Sequence, residues 1–264
     1  MGSADRWQVV REAVTLAAEE EDTRVSVTAI DLETGERFTE RGDEPFKAAS
    51  TIKALILATM ARAIDAGTLD LDRMVPLPAE RKVGGSGVLN WLTTGIALPL
   101  RDYAWLMIAI SDNTASNVCI DAVGMEAVQA TADALGLSTI HLGRYFKGVA
   151  AKPGDPENIA SSDDLAALMA AIATGQVAGP EATSWMLRVL GEQQYLDRLP
   201  GRMPDGVSWQ GKTGSLDGIH HDAGVFTGPQ GRIAVACLTQ GITEKDDANG
   251  LIASVGAAVS SLVA

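Results

Sequence analysis

Strand-like patterning is confined to the two ends of this 264-residue chain, and helix-like patterning fills the middle. From Asp5 to Glu20, Trp7, Val10, Val14, Leu16 and Ala17 recur at helical spacing. Val25 to Leu32 then alternates as a strand, Glu33-Thr34-Gly35-Glu36 has turn composition, and Arg37-Phe38-Thr39 begins a return strand. At the far end, Ser208 to Ser215, Asp222 to Thr227 and Arg232 to Gln240 read as strands. Gly228-Pro229-Gln230-Gly231 is the hairpin between the last two, and Ala248 to Val263 closes as an amphipathic helix. Neither end has enough strands to bury a sheet alone. The simplest solution joins them: an α/β (α+β) fold with an antiparallel sheet carrying the terminal helices, and an all-helical lobe made by the middle. The expected lobes are 1–47 with 200–264, and 48–199, with a cleft between them suited to a small molecule.

Within the middle, Ile52, Leu55, Ile56, Met60 and Ile64 predict a helix from Thr51 to Ala66, ended by Gly67. Leu100-Arg101-Asp102 opens another, through Trp105, Leu106 and Ile108, which stops at Ser111-Asp112-Asn113; a further helix begins near Thr114. Val83-Gly84-Gly85-Ser86-Gly87 reads as a flexible loop and Lys152-Pro153-Gly154-Asp155-Pro156 as part of a long one. Ser161-Ser162-Asp163-Asp164 caps a helix from Leu165 to Ala173, and Leu199-Pro200-Gly201-Arg202-Met203-Pro204 links back to the final strands.

Composition narrows the partners. A net charge of −13 disfavours nucleic acid and anionic membranes. There is no apolar run long enough to span a bilayer. The only histidines are His141, His220 and His221, with no metal-ligand spacing, so neither a metal nor another cofactor is expected. Cys119 and Cys237 read as separate buried thiols. A monomer acting on a small molecule is expected. The charged first twenty residues are unlike a signal peptide and imply a cytoplasmic protein as written. Met1-Gly2-Ser3 has the look of a cloning remnant, which leaves a removed export signal, and hence secretion, open.

Three short motifs carry the chemistry. Ser50-Thr51-Ile52-Lys53 reads S-x-x-K, Ser111-Asp112-Asn113 reads S-D-N, and Lys212-Thr213-Gly214 reads K-T-G. Three residues apart on a helix, Ser50 and Lys53 share a face. A serine hydroxyl needs a base to take its proton. Lysine serves only when its pKa falls, through burial or a neighbouring cation such as Lys212. Ser111 offers a hydroxyl that relays a proton to a leaving nitrogen. Asn113 offers an amide that binds a substrate carbonyl and holds Lys53, while Asp112 suits a capping role. Lys212 and Thr213 suit a carboxylate, Gly214 lets a ligand approach the backbone, and the N–H of Ser215 completes an oxyanion hole with that of Ser50.

With these motifs in this order, the chain resembles the penicillin-recognising serine hydrolases, specifically the class A β-lactamase branch. Ala97-Leu98-Pro99-Leu100-Arg101-Asp102, the run Ser111 to Asn117, and Pro153-Gly154-Asp155 resemble that branch too, and the similarity extends from about Val25 to the C-terminus. The resemblance implies a serine β-lactamase/penicillin-binding-protein-like fold. It also implies Ser50 as nucleophile, Lys53 as base, Ser111 and Lys212 as proton relay, and Asn113, Thr213, Gly214 and Ser215 as substrate contacts.

Two departures stand out. After Arg144 and Tyr145 the family usually has a glutamate, followed four residues later by an asparagine, which hold the hydrolytic water. Here these positions hold Phe146 and Ala150. The parts for acylation are present and those for deacylation are absent. Secondly, related enzymes often carry an arginine near His220-His221-Asp222 for the substrate carboxylate. His221 is the candidate for that role, with Asp222 tuning its charge. The expected activity is formation of an acyl-enzyme with β-lactams, amides or esters, with impaired or unusual deacylation. A D-alanyl-D-alanine peptidase or esterase is a close variant. A β-lactam sensor that stops at the adduct and a biosynthetic transacylase are the alternatives.

Overall fold

The strands from both ends of the chain meet in one sheet. The computed structural model describes residues 6–17, 23–149 and 151–264. Among these, α1 spans Gln8–Ala17, β1 Arg24–Asp31, β2 Arg37–Glu40 and β3 Phe46–Lys47. The middle holds α2 (Lys53–Asp65), β4 (Met74–Pro76), β5 (Ala97–Pro99), α3 (Leu100–Ala109), α4 (Asn113–Val123), α5 (Met125–Ala134), β6 (Ile159–Ala160), α6 (Ser162–Ala173) and α7 (Pro180–Gly191). The chain ends with β7 (Ser208–Leu216), β8 (Ile219–Gly228), β9 (Gly231–Gln240) and α8 (Lys245–Ser260). The main sheet runs β2-β1-β9-β8-β7, every pair antiparallel, with β1 and β9 in register from Arg24↔Gln240 to Asp31↔Ile233.

Period-two patterning sorts each strand between two cores. On β9, Ile233, Val235 and Cys237 face the outer layer of α1 and α8, with Val10, Val14, Ile252, Val255 and Val259. Ala234, Ala236 and Leu238 face inward and join the helical core. The small inward side chains let α6 lie against β1, β8 and β9. Helix α6 therefore belongs to the sheet's packing as much as to the helices. Cys119 and Cys237 are both free and buried, in different cores.

Helix α2 is buried on every side from Lys53 to Ala61, as befits a helix apolar all round. It is the axle of the helical region, packing against α4, α5 and α7. Two elements add detail to the sequence reading. The helix after Ser111-Asp112-Asn113 is broken in two at Gly124, which caps α5. The linker at Leu199 forms a 3-10 turn, Leu199–Arg202, packed on α8. Asp5 and Ala18 to Glu20, assigned to the first helix from sequence, lie outside the described residues. No helix among the described residues is long and apolar enough to cross a membrane.

Candidate active site

The edge strand β7 meets the N-terminal end of α2, and the three motifs converge there. Ser50 lies in a 3-10 turn, Ala49–Ile52, that runs directly into α2. In a 3-10 turn residues i and i+3 eclipse, so the half-buried Ser50 stands over the fully buried Lys53. The Lys53 amine reaches the carbonyl of Ser111 at 2.7 Å, Oδ1 of Asn113 at 2.9 Å and Oγ of Ser111 at 3.1 Å. Burial holds the Lys53 amine well below its ordinary pKa, and the charge of Lys212 pushes the same way against Asp112 and Cys119. In this cage the amine donates to Ser111 O, Asn113 Oδ1 and Ser111 Oγ. Lowering its pKa favours the neutral form, in which lysine takes a proton.

The Ser111-Asp112-Asn113 turn is held by its middle residue. Asp112 caps α4, accepting from Ala115 N at 2.9 Å. Its other oxygen accepts from Val88 N at 2.7 Å and Leu89 N at 2.9 Å. Asn113 adds a bond from its own N to Ser86 O and one from Nδ2 to Gly84 O, both 3.1 Å. The glycine-rich loop around Ser86, flexible by composition, is thus stapled to α4. Gly87, at φ 103°, passes so close to Asp112 that no side chain fits. Ser86 arrives in the cleft as a result, a residue the sequence did not single out.

On β7, Lys212 is fully buried and donates to Thr213 O at 2.8 Å. Its amine falls to about 7, first through burial and then through Arg198, with Asp222 opposing. Gly214 allows the close approach. A Cβ there would sit 3.0 Å from Thr51 N and 3.1 Å from both Ser50 N and Ala48 O. Thr213 and Ser215 then border the cleft beside Ser50.

His221 does not enter this site. It is fully buried beneath the β3 backbone, with Nε2 donating to Lys47 O at 2.9 Å and Nδ1 accepting from Thr239 N at 3.2 Å. Its ring packs edge-on to Phe46, and burial drives its pKa down to about 4, so it is neutral. Asp222 is likewise buried, accepts from Leu199 N at 3.1 Å and is raised to about 7 by burial, and the His221 ring bonds to Lys47 O and Thr239 N and not to it. The residues that do line the cleft are His220 and Arg198. Strand alternation explains the error: neighbours on β8 face opposite ways, and a one-residue choice selects the wrong face.

Arg198 lies just before the 3-10 turn, one residue ahead of the linker read from sequence. Its guanidinium is buried and spans the two strands: Nη1 donates to Gly214 O and His221 O, both at 2.7 Å. Nη2 donates to Ser215 Oγ at 2.6 Å and lies 3.4 Å from His220 Nδ1, while Nε donates to Asn249 Oδ1 at 2.9 Å. An arginine nitrogen only donates, so Nδ1 of His220 accepts and Nε2 carries the hydrogen. That Nε2 is buried, and although the Ile242 backbone approaches the ring, no partner meets hydrogen-bond geometry.

The opposite wall is the loop from Arg144. Arg144 pairs with Glu157 at 3.0 Å and donates its backbone N to Asn158 Oδ1, closing the loop at its neck. Glu157 is committed to this neck. Phe146 is clamped by Asn117, which accepts from its N and donates to its O, both at 2.9 Å. The Phe146 ring faces the Lys53 amine at 4.5 Å. Tyr145 donates to Asp121 at 2.8 Å and stacks under Arg81. Ala150 lies outside the described residues.

Ser50, Ser86 and Ser215 stand where two arms of the cleft join. One arm, about 210 Å³, runs under the loop past Phe146 and Asn113. The other, about 270 Å³, holds Ser111, Thr213, Arg198, His220 and Lys245. A larger open groove of about 890 Å³ lies between α6 and α7, but its charged residues Arg188 and Glu192 are exposed and solvated. Among the described residues there is no cluster of side chains fit to hold a metal.

Known proteins share this fold. A family model described as the beta-lactamase enzyme family matches residues 8–263. A β-lactamase from Sphaerobacter thermophilus has a crystal structure that aligns with a TM-score of 0.91 and 38% identity, over 96% of this chain and 95% of that one. A PBP-A variant bearing a leucine-to-glutamate substitution, solved as an acyl-enzyme complex with penicillin G, aligns with a TM-score of 0.87 and 25% identity, over 96% and 95% of the two chains. β-Lactamase AST-1 of Nocardia asteroides is 30% identical over 73% of this chain, a match spanning 63% of that protein's own length. Ancestral class A enzymes align as well, with a TM-score of 0.88. A sheet closed by both ends of the chain, a buried helix opening at Ser50 and a family match from residue 8 to residue 263 have one common explanation: the chain belongs to the β-lactamase enzyme family, in its class A branch.

Proposed function

We propose that this protein forms a covalent acyl-enzyme at Ser50 with β-lactams or related amides and esters, and releases the acyl group to water slowly. The observation that carries the first half is the buried Lys53 amine held beneath Ser50 by Ser111 and Asn113. Ser50 Oγ attacks the carbonyl and its proton passes to neutral Lys53. The N–H groups of Ser50 and Ser215 face the developing oxyanion. Ser111, bonded to Lys53, delivers a proton to the leaving nitrogen. Asn113 contacts the acyl amide. Thr213 and Ser215 receive the substrate carboxylate, with the Arg198 charge behind them.

The second half rests on Phe146. An aromatic ring accepts no proton, and the 4.5 Å between its centroid and the Lys53 amine supports a site that orders a hydrolytic water poorly. Losing a positioned general base costs about 10²–10⁴-fold, roughly 3–5 kcal/mol of barrier. The complex of penicillin G with the PBP-A variant supports a β-lactam as acyl donor.

Time-resolved intact mass after mixing with penicillin tests both halves. A single adduct should form fast, decay slowly and be absent in Ser50→Ala. An equal yield of adduct in Ser50→Ala would remove the mechanism. Rapid product release without accumulation of adduct would remove the slow step.

A further inference from the structure

We propose that the arm under the Arg144 loop is a recognition pocket for an acidic group, so that the acyl donor carries a short side chain ending in a carboxylate. The inference rests on the acyl-enzyme reading above and names the substrate class.

In that reading the acyl chain has one way to go. The substrate carboxylate and the leaving nitrogen occupy the Arg198 arm, beside Thr213, Ser215 and Ser111. Asn113, which contacts the acyl amide, borders the other arm. Whatever extends beyond that amide therefore enters the arm of about 210 Å³. The reach of this arm is limited. Gly148, at φ 69°, passes so close to the glycine-rich loop that a Cβ on it would lie 2.6 Å from Gly84 O and 3.2 Å from Val83 Cγ2. The two loops meet there, which suits a short chain.

The polar groups of this arm suit an anion. Its charged lining residues are Arg144, Glu157 and Lys147. Arg144 and Glu157 pair with each other at 3.0 Å, so their charges cancel. Lys147 is half-buried and makes no hydrogen bond or ion pair with any described residue. The arm thus keeps one uncompensated cation in a chain of net charge −13.

Asn158 is the second observation. It is 5% exposed, and its Oδ1 accepts from Arg144 N at 3.0 Å, which fixes the orientation of the amide. Its Nδ2 makes no bond to any described residue and keeps some exposed surface, and the surface beside Asn158 is this arm. A nearly buried donor without an acceptor is costly. A carboxylate accepts from an amide and an ammonium together, and such charge-assisted bonds are stronger than neutral ones. A basic side chain would meet Lys147 with like charge, and a neutral one would leave that charge unanswered.

Two penicillins that differ only at the end of the acyl chain separate charge from size. One is 6-aminopenicillanic acid bearing a glutaryl chain. The other bears the glutaramyl chain, in which a carboxamide replaces the terminal carboxylate. The penicillin nucleus fills the Arg198 arm in both. The experiment measures the second-order rate of adduct formation by stopped flow and intact mass, for wild type, Lys147→Met, Lys147→Arg and Ser50→Ala. The glutaryl compound should acylate wild-type protein faster than the glutaramyl one by about fivefold or more. Lys147→Met should bring that ratio to within about twofold of unity, and Lys147→Arg should preserve it. A merely structural role for Lys147 would change both rates together and leave their ratio alone. A smaller ratio in wild type, or one that Lys147→Met does not reduce, would overturn the acid pocket and leave the acyl-enzyme reading standing. Absence of a Ser50-dependent adduct with either penicillin would overturn both.

Discussion

The ring of Phe146 faces the Lys53 amine at 4.5 Å, and the backbone of Phe146 is gripped on both sides by Asn117. An aromatic face favours the ammonium by about 0.5–2 kcal/mol. Burial and the charge of Lys212 act the other way and lower the Lys53 pKa. The ring's larger effect is to exclude water. Phe146→Glu should accelerate decay of a penicilloyl adduct, by tenfold or more, with the rate of adduct formation changed much less. The grip of Asn117 is on the backbone and survives the substitution. Stopped-flow acylation and time-resolved mass spectrometry separate the two rates. An unchanged decay would show that the ring does not limit deacylation.

Asp112 touches no part of the cleft surface yet holds three backbone N–H groups from two segments. Asp112→Ala strands those donors in a buried place, at a cost of roughly 2–4 kcal/mol. For a chain of this size that is a fall in Tm of about 4–16 °C. A change below 2 °C by calorimetry would contradict the capping account.

Gly214→Ala should slow acylation by about ten- to a hundredfold with little loss of secondary structure. The new methyl meets backbone atoms of Ser50, Thr51 and Ala48 at 3.0–3.1 Å, and backbone cannot rotate away. β7 must retreat from the serine, and displaced oxyanion donors lose their effect steeply. An adduct forming at the wild-type rate would show the approach to be unimportant.

Stability should rise from pH 7 to about pH 8.5. The folded-state pKa of Lys212 is near 7, below the 10.5 of the unfolded chain, so in this window the unfolded state binds more protons. Lys53 acts in the same direction. The rise should flatten above about pH 9 and reverse towards pH 10, because burial raises both cysteine thiols, only the unfolded chain loses those protons, and its lysines begin to lose theirs. Each pKa unit corresponds to about 1.4 kcal/mol. Lys212→Met should flatten the rise in Tm between pH 7 and 8.5. An equal slope in both proteins would mean that Lys212 is not depressed.

Reducing agent should leave Tm unchanged within about 2 °C. The thiols of Cys119 and Cys237 are free and sit in different cores. A larger fall on reduction would require a bridge that this fold does not make.

The motif residues were legible because their chemistry is local: Ser50 and Lys53 are one turn apart, and Ser111 to Asn113 and Lys212 to Ser215 are contiguous. The sheet was legible because strand period and turn composition agree at both ends of the chain. Arg198 was invisible because nothing local marks it; its partners are carbonyls of β7 and β8 and an amide of α8, brought together only by folding. His221 was preferred to His220 because pattern gives a strand's period without giving its phase. The glycines around Ser86 announced mobility, and the Asp112 bonds that immobilise them come from residues more than twenty positions away.

Two residues with side chains hold the left-handed backbone conformation on opposite walls of the cleft: Ala49 at φ 48°, just before the serine, and Ser111 at φ 58°. Each conformation costs on the order of 1–3 kcal/mol and lasts only while its surroundings enforce it. Both residues adjoin buried helices, Ala49 ahead of α2 and Ser111 ahead of α4, so the reactive geometry is expected to relax early when packing loosens. Heat should therefore silence the protein before it melts it: loss of adduct formation should run several degrees ahead of the loss of ellipticity, and should reverse on cooling.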